Sequence, residues 1–455
     1  MLYNKKLNLF QLFLFAMILF TSYKYVSAQD VLLSLEDCIR IANDNHATKL
    51  VIAEDMKIAK ANYQIRKGER NIRVDGVVKT REIAKDATNS MVSIPGVDTN
   101  ISIFSGLYAK YGLYDPKKKY EEEAAEMQAN MTKMSTQKSM DDMIYNIKSA
   151  YYDYLYAIKN VELKNELLQR YKEKYSLAEK LYANGLCPVL DVSRANVKVN
   201  EGMLDYERAR NTERQAKSAL YMSIGITEND LPNLKPLPVE NIPKIKYSLE
   251  ELTQLAMLYN PDVQIVDYDM KIKQKRISIA RALHDPTVDV EFGLGFQNKS
   301  FWGMDSNSEF NNIFKFDKWT PMFFGNFVAA IPVYTGGAIS SRTDIAVSEY
   351  NKSVYKGREI IMNVKNQVQI LLQNLNELEN QINITKMVVE DSQRYVLLAR
   401  RSFENGEGSL MDVNEAEANV IQATLGSYSI RYRYLLTFAS IAKLIGVDEE
   451  RICLN

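Results

Sequence analysis

The sequence predicts a mainly α-helical fold with a small β part, built from two copies of one unit. Three observations lead to this prediction. Short residue motifs recur in the same order at an offset of 214 or 221 residues. Two very long segments run without a strong helix break, and four short segments alternate apolar with polar residues. Long helices joined to paired strands within one repeated unit are therefore the expected architecture.

The first 28 residues are predicted to be a secretory signal peptide. Lys5 and Lys6 form a basic start, the apolar run Leu7–Phe20 follows, and Val26–Ala28 supplies the small residues at which signal peptidase cleaves. The alternative is a transmembrane anchor, but this run has only about 14 apolar residues and an anchor needs about 20. We therefore expect cleavage, and a mature chain that begins near Gln29.

The composition argues against several classes of protein. The formal net charge is zero, whereas nucleic-acid-binding proteins carry basic patches, so we expect no nucleic-acid partner. Three cysteines are too few and too scattered for a disulfide framework. The two histidines, His46 and His284, do not have the spacing of a metal site or of a catalytic triad. We therefore expect neither a metal, nor a cofactor, nor an enzymatic activity.

Internal repetition divides the chain. Ser34–Glu36 recurs as Ser248–Glu250, at an offset of 214 residues, and Asn184–Gly185 recurs as Asn405–Gly406, at an offset of 221. Proline at high density marks the boundary between the copies, because proline cannot continue a helix. The chain is therefore assigned to a first repeat (29–228), a proline-rich linker (229–247) and a second repeat (248–455).

Each copy is predicted to run helix, strand, loop, strand, very long helix, tight turn and long helix. The first helix of each copy begins with a capping box, in which Ser34 is followed by Asp37 and Ser248 by Glu251. His46 is placed inside the first helix.

Four segments show the period-two alternation of β-strands. In Val288–Phe296 the apolar residues alternate with Asp289, Glu291 and two glycines. This pattern fits either a soluble sheet with one wet face or the wall of a membrane barrel. Open strand edges are forbidden in lipid, so four membrane strands would require several chains to share one barrel. The other strands are predicted around Ile72–Arg81, Ile101–Tyr111 and Phe323–Val333.

Two very long helices are predicted, one from Asp115–Pro116 to Asn184 and one from Ala338 to Asn405. Each has about 67 residues, which corresponds to roughly 100 Å at 1.5 Å per residue. Their apolar residues follow steps of three and four, which is typical of a coiled-coil seam. The seam positions are Ile144, Ile147, Tyr151, Tyr154, Ile158 and Val161 in the first helix, and Val364, Val368, Leu371, Leu375, Leu378 and Ile382 in the second.

Together these features resemble the TolC family of outer-membrane efflux and secretion proteins. The most similar segments are Ala280–Phe296, Ile331–Gly337 and the two helix–helix turns, Ala183–Ala195 and Phe403–Ala416. The resemblance implies a homotrimer in the outer membrane with a long periplasmic extension. Three chains would form a trimeric α-barrel joined to a shared 12-stranded transmembrane β-barrel. The resemblance also implies a passive efflux or type I secretion conduit, with a periplasmic adaptor, an inner-membrane transporter and outer-membrane lipid as partners.

The resemblance places a periplasmic iris at the two turns. Pore-lining carboxylates of the family fall on Asp412 and Glu415, which lie three residues apart on one helix face. The alternative role for Asp412 is a capping box with Ser409. A closing arginine of some members falls on Gly408 and its tyrosine neighbour on Phe403, so a latch here must use other contacts. The expected turn residues are Asn184, Gly185, Asp191, Phe403, Asn405, Gly406 and Gly408.

The segments Lys85–Asp98 and Gln297–Met322 are expected to be extracellular loops. Trp302 and Trp319 in the second favour either a membrane interface or a small-molecule or glycan site. The competing function for the whole chain is a periplasmic coiled-coil scaffold or adaptor with a soluble sheet. An adaptor normally has one helical hairpin, whereas this sequence predicts two.

Overall fold

The computed structural model describes residues 31–84, 99–228, 234–236, 242–302 and 315–453. The predicted signal peptide (1–28) and the predicted loop Lys85–Asp98 lie outside these ranges. Of the predicted linker, only 234–236 and 242–247 are described. The division of the chain into two repeats and a linker stays a prediction.

The elements of the second half follow those of the first in the same order. The first half comprises β1 (Val31–Leu33), α1 (Leu35–Asn45), α2 (Ala47–Gly68), β2 (Arg73–Ala84), β3 (Thr99–Tyr114), α3 (Pro116–Ala183) and α4 (Val189–Ile224). The second half comprises β4 (Leu234–Pro236), α5 (Leu249–Tyr259), α6 (Pro261–Arg281), β5 (Thr287–Trp302), β6 (Trp319–Ala330), α7 (Ala338–Glu404), α8 (Leu410–Ile445) and α9 (Glu449–Ile452). Single 3-10 turns, Ala282–His284 and Phe316–Lys318, precede β5 and β6.

The first helix of each half ends earlier than the sequence suggests. Both predicted capping boxes are present, at Ser34 and at Ser248. The placement of His46 inside a helix was wrong, because its backbone is extended and its side chain caps α2 by accepting a hydrogen bond from the Thr48 N–H. Asn260 occupies the same place between α5 and α6, and Pro261 starts the second helix.

The two long helices match their predicted lengths. Helix α3 has 68 residues and α7 has 67, so each extends about 100 Å. Asp115 caps α3, with Pro116 in the first turn, as predicted. Next to the four-stranded sheet formed by β2, β3, β5 and β6, the helices lie side by side in the order α2, α3, α6, α7. Near the helix–helix turns the order is α4, α3, α8, α7. At each level, four helices therefore pack side by side in one layer, which we call the helical wall.

The seam residues hold this wall together. Ile147, Tyr151 and Tyr154 are buried on α3 against α1, α4 and α8, and Val368 and Leu375 are buried on α7 against α5 and α8. These contacts confirm the coiled-coil seams read from the sequence. Apolar burial contributes roughly 25 cal/mol per Å², so the two seams supply much of the stability of the wall.

The main sheet has four antiparallel strands in the order β2, β3, β5, β6. One face is apolar and exposed, with Leu294, Phe323 and Phe327 more than half accessible. The opposite face is polar, and there Lys110 pairs with Asp289 at 2.9 Å. The alternation predicted for Val288–Phe296 is therefore present in β5.

A glycine and a phenylalanine pack against each other across β5 and β6. Gly293 lies opposite Phe324, and a Cβ at Gly293 would meet the phenylalanine ring at 2.2 Å. The ring therefore covers the glycine backbone on the polar face and fixes the register of the two strands. Phe324 also makes an edge-to-face contact with Phe104 on β3, with ring centroids 5.5 Å apart.

Two predicted boundaries of the sheet were wrong. Gln297–Met322 was expected to be a loop, but β5 continues to Trp302 and β6 begins at Trp319, so only 303–318 lie between the two strands. The last strand was expected to reach Val333, but it ends at Ala330. Pro332 has no N–H to donate to a ladder, which explains why pairing stops before it.

A second, two-stranded sheet was not predicted. Strand β1 pairs in parallel with β4, which falls within the predicted proline-rich linker. This pairing brings the start of the first half beside the linker.

No helix within the described ranges is long and apolar enough to span a lipid bilayer.

Candidate functional site

The two helix–helix turns have nearly the same geometry. In each, a glycine follows the last helical turn with a positive φ, 71° at Gly185 and 77° at Gly406. The N–H groups of Asn184 and Asn405 still bond to helix carbonyls, at 3.2 and 3.0 Å. Glycine is required because other residues rarely adopt this left-handed conformation. Both turns thus reverse the chain within a few residues.

The second turn leads into a capping box. The Ser409 N–H donates to Asp412 Oδ2 at 2.9 Å, and the Asp412 N–H donates to Ser409 Oγ at 3.2 Å. Hydrogen bonds from the backbone and the side chain of Ser409 hold the pKa of Asp412 below its ordinary value. Asp412 therefore stays ionised while it caps α8. The first turn has Pro188 at the equivalent position and no side-chain cap.

Asp412 and Glu415 project from the same side of α8. Both are exposed, whereas the intervening Val413 and the following Ala416 are buried against α7. The helix therefore presents its apolar side to its own hairpin and its carboxylates to solvent. This exposure is compatible with both roles considered from the sequence, capping and lining a pore.

The positions matched to the family latch take part in other contacts. Phe403 packs against the apolar cluster formed by Val396, Ala399, Val413 and Ala416. Asp191, in the first turn, lies 3.6 Å from Arg194 on the same helix. A Cβ at Gly408 would meet Ser402 Oγ at 2.8 Å, so a larger residue there must displace that hydroxyl.

The two turns face each other across a cavity of about 340 Å³. The structure brings the predicted turn residues Asp191, Phe403 and Gly408 to its wall, together with Cys187 and Asn414. Asn184, Gly185, Asn405 and Gly406 lie at the ends of the turns and do not line it.

A buried ion cluster centred five residues after Asp412 on α8 was missed from the sequence. Glu417 is 1% exposed, and its carboxylate accepts hydrogen bonds from Lys174 Nζ at 2.5 Å and from Arg400 at 2.6 Å. Arg170 lies 3.7 Å away. Lys174 and Arg170 belong to α3 and Arg400 to α7, so one carboxylate on α8 ties together three helices. We call these four residues the Glu417 cluster.

Three cations around one carboxylate set the protonation of the Glu417 cluster. Burial by itself raises the pKa of Glu417, but the hydrogen bonds from Lys174 and Arg400 outweigh it, and the pKa is lowered overall. The pKa of Lys174 is also lowered, because burial and the charges of Arg400 and Arg170 outweigh its bond to Glu417. The glutamate is therefore firmly anionic.

The sequence did contain a signal for this cluster. Val413, Glu417, Ile421 and Leu425 are spaced four residues apart, so Glu417 occupies an apolar stripe of α8. An acid in such a stripe needs a partner, because an unpaired buried charge is costly.

In the part of the chain that the structure describes, no group of acidic, histidine and cysteine residues could hold a metal ion.

Comparison with known proteins identifies the family. The sequence profile of the family "Outer membrane efflux protein" matches residues 96–226 and 252–447. These two segments include both turns, the long helices and most of the sheet.

Individual relatives are distant in sequence and similar in fold. The chain is 20% identical over 308 residues to the cation efflux system protein CusC of Escherichia coli K12, which covers 67% of this chain and 64% of that protein, just under two thirds of its length. It is 21% identical over 369 residues to the outer membrane protein TolC of the same strain, covering 79% and 73%. The crystal structure of the Campylobacter jejuni CmeC outer membrane channel superposes with a TM-score of 0.76 at 17% identity, covering 92% of this chain and 88% of that one.

These matches confirm the predictions of family, fold class and outer-membrane location. The fold agreement with the Campylobacter jejuni channel extends over 92% of this chain. The chain therefore belongs to the family of outer membrane efflux proteins.

Proposed function

We propose that three copies of this chain form a passive, non-enzymatic channel through which solutes cross the periplasm and the outer membrane. One observation carries the proposal. The same chain has a sheet with one exposed apolar face and one polar face, and helices of about 100 Å follow two of its strands, β3 and β6. A lipid-facing wall and a periplasmic tube are thus parts of one continuous element.

The sheet geometry favours assembly by several chains. Strands β2 and β6 are the edges of the sheet within one chain, and they run in opposite directions. The β2 strand of a second copy can therefore extend the ladder beyond β6 in antiparallel fashion. Three copies give twelve strands, an even number that closes without an open edge.

The proposed partners follow from the family. A passive conduit needs an energised pump, so a periplasmic adaptor and an inner-membrane transporter would deliver solutes to the two turns. The related CusC is named as part of a cation efflux system. At the turns of three chains, Asp412 and Glu415 would supply six carboxylates around one axis, which would favour cations.

Fractionation and conductance test the channel. We expect the protein in the outer membrane as a heat-labile oligomer of about three chains, which forms conducting pores in planar bilayers. Recovery of the processed chain as a soluble monomer would contradict the proposal and would favour the adaptor or scaffold function.

The carboxylates need a test that separates charge from capping. Asp412→Asn keeps an oxygen that can accept the Ser409 hydrogen bond, and Glu415→Gln keeps the side-chain shape. The double variant should lose part of the cation selectivity measured from reversal potentials. Unchanged selectivity would leave Asp412 with the capping role alone. Glu36→Gln, which removes an exposed carboxylate on α1, outside the two turns, is the matched control.

A further inference from the structure

A wide cleft lies where the sheet meets the helical wall in the first half of the chain. The end of α2, the residues just before β2, the end of β3 that lies nearest the helices, and the first turns of α3 enclose about 990 Å³. Four basic residues, Lys67, Arg70, Lys118 and Lys119, line it together with three tyrosines, Tyr111, Tyr114 and Tyr120. We call this feature the basic cleft.

Two of the four cations in the basic cleft are unpaired. Arg70 forms a salt bridge with Glu122, and Lys118 Nζ lies 3.6 Å from Asp115. Across the described ranges, Lys67 and Lys119 have no ion-pair partner, and both are exposed. The cleft therefore has two cations free to receive an anion from outside the chain.

The lysines of α3 are not required by the fold at this junction. Residues 117–119 are all lysine and lie in the first turn, where a helix dipole disfavours positive charge. At the offset of 221 the corresponding residues of α7 are Ala338, Ile339 and Ser340. The second junction joins its strand to its helix through residues 331–337 and without these lysines, whereas Asp115 alone joins them in the first. A strand-to-helix junction of this fold therefore forms without the lysines, and their presence in the first indicates another role.

The rim of the basic cleft continues the apolar face of the sheet. Ile72 and Leu113 line the cleft and are 59% and 58% exposed, and Tyr111 lies between them and the apolar surface of β3. If that face contacts lipid, the cleft lies at the level where acyl chains end and phosphate groups begin. Tyrosines and long basic side chains are the residues that occupy this level in membrane proteins.

We infer that the basic cleft binds the phosphate of an anionic glycerophospholipid in the periplasm-facing leaflet of the outer membrane. Lys67 and Lys119 contact the phosphate, and Ile72 and Leu113 contact the first methylenes of the acyl chains. The inference rests on the proposed membrane position of the sheet. It adds a specific lipid contact that anchors each chain at the boundary between sheet and helices.

Native mass spectrometry of the intact, detergent-extracted oligomer tests this inference. Phosphatidylglycerol and phosphatidylcholine of equal chain length are added to the delipidated oligomer, and the bound lipids are counted. The wild type should prefer phosphatidylglycerol. The double variant Lys67→Gln/Lys119→Gln should lose about 25-fold in phosphatidylglycerol affinity, because each basic residue near an anionic surface contributes about a fivefold factor. Phosphatidylcholine binding should fall less, because the choline cation offsets the charge of its phosphate.

The control is Lys365→Gln/Lys386→Gln, which removes two exposed lysines from α7 and should retain the preference. Equal phosphatidylglycerol binding by both double variants would overturn the inference. Displacement of the lipid by millimolar inorganic phosphate would also overturn it, because it would identify a site for free phosphate. If the cleft variant instead falls apart into single chains that retain the lipid preference, the cleft is a contact between chains.

The inference and the proposed channel fail in different ways. A chain that never forms a membrane oligomer contradicts the channel itself. An oligomer that conducts ions but shows no lipid preference contradicts only the lipid site.

Discussion

Removal of the Glu417 charge should loosen the ends of the helices near the two turns. In Glu417→Gln, Lys174 and Arg400 lose the anion that accepts their hydrogen bonds at 2.5 and 2.6 Å. Loss of one partner from a buried ion pair costs about 3–5 kcal/mol. Arg400 is about half exposed and can turn to water, whereas Lys174 is mostly buried and cannot. We therefore expect the lower end of that range, about 3 kcal/mol.

Hydrogen–deuterium exchange measures this effect locally. The free energy of local opening sets the exchange rate of protected amides. A loss of about 3 kcal/mol predicts exchange about 150-fold faster in peptides from α3 and α8 that contain Lys174 and residue 417. Peptides from α2 and from the sheet should exchange at unchanged rates.

Glu415→Gln provides the matched control for this experiment. Glu415 lies two residues away on the same helix, is exposed and has no ion-pair partner among the described residues. Its exchange should stay within about twofold of the wild type. Less than threefold acceleration in Glu417→Gln, or equal acceleration in both variants, would refute the assignment of the Glu417 cluster as the tie between the hairpins.

Three further predictions concern the same part of the chain and its far end. The pKa of Glu417 in the folded protein is lowered from its ordinary value of 4.5, so the stabilisation by its charge is fully present above pH 4.5. This stabilisation is lost as the pH falls from 4.5 through the lower pKa of the folded state. Amide exchange near residue 417, corrected for its intrinsic pH dependence, should therefore accelerate only below pH 4.5. Asp412→Ala should reduce the local stability of the α8 start by about 1 kcal/mol, and Asp412→Asn should reduce it less; equal losses in exchange protection would contradict the capping role. Gly446→Ala should be more destabilising than Gly406→Ala. Both glycines have a positive φ, but a Cβ at Gly446 would also lie 2.4 Å from the Tyr259 carbonyl oxygen. Similar thermal unfolding midpoints for the two variants would contradict this packing argument.

Local signals made much of the fold predictable. The N-caps at Ser34, Asp115 and Ser248 fix where helices begin, because each satisfies backbone donors with neighbouring residues. The alternation in Val288–Phe296 fixes which side chains share a face, because a strand has a period of two. Such features depend on residues a few positions apart and can be read directly.

The features that were missed depend on distant residues. The β1–β4 pair joins two three-residue segments about 200 positions apart, and neither has a recognisable strand pattern. Glu417 and Lys174 are 243 positions apart, so nothing local matches one to the other. The helix break at His46 could be predicted only by comparison with the second repeat. There the corresponding residue, Asn260, precedes Pro261, which marks the start of a new helix, whereas His46 precedes alanine.

The central claim is that β2 of one chain pairs with β6 of the next to close a barrel shared by three chains. It can be tested by engineered disulfides across these two strands, in a variant whose three native cysteines are replaced by serine. Cysteines at opposed positions of paired strands lie close enough to bond, with Cα atoms about 4.5–5.5 Å apart. Oxidation in outer membranes should give a denaturant-resistant ladder of one, two and three chains and nothing larger. A ladder that continues beyond three chains, or the absence of cross-links from every pair of positions tried along the two strands, would contradict the account.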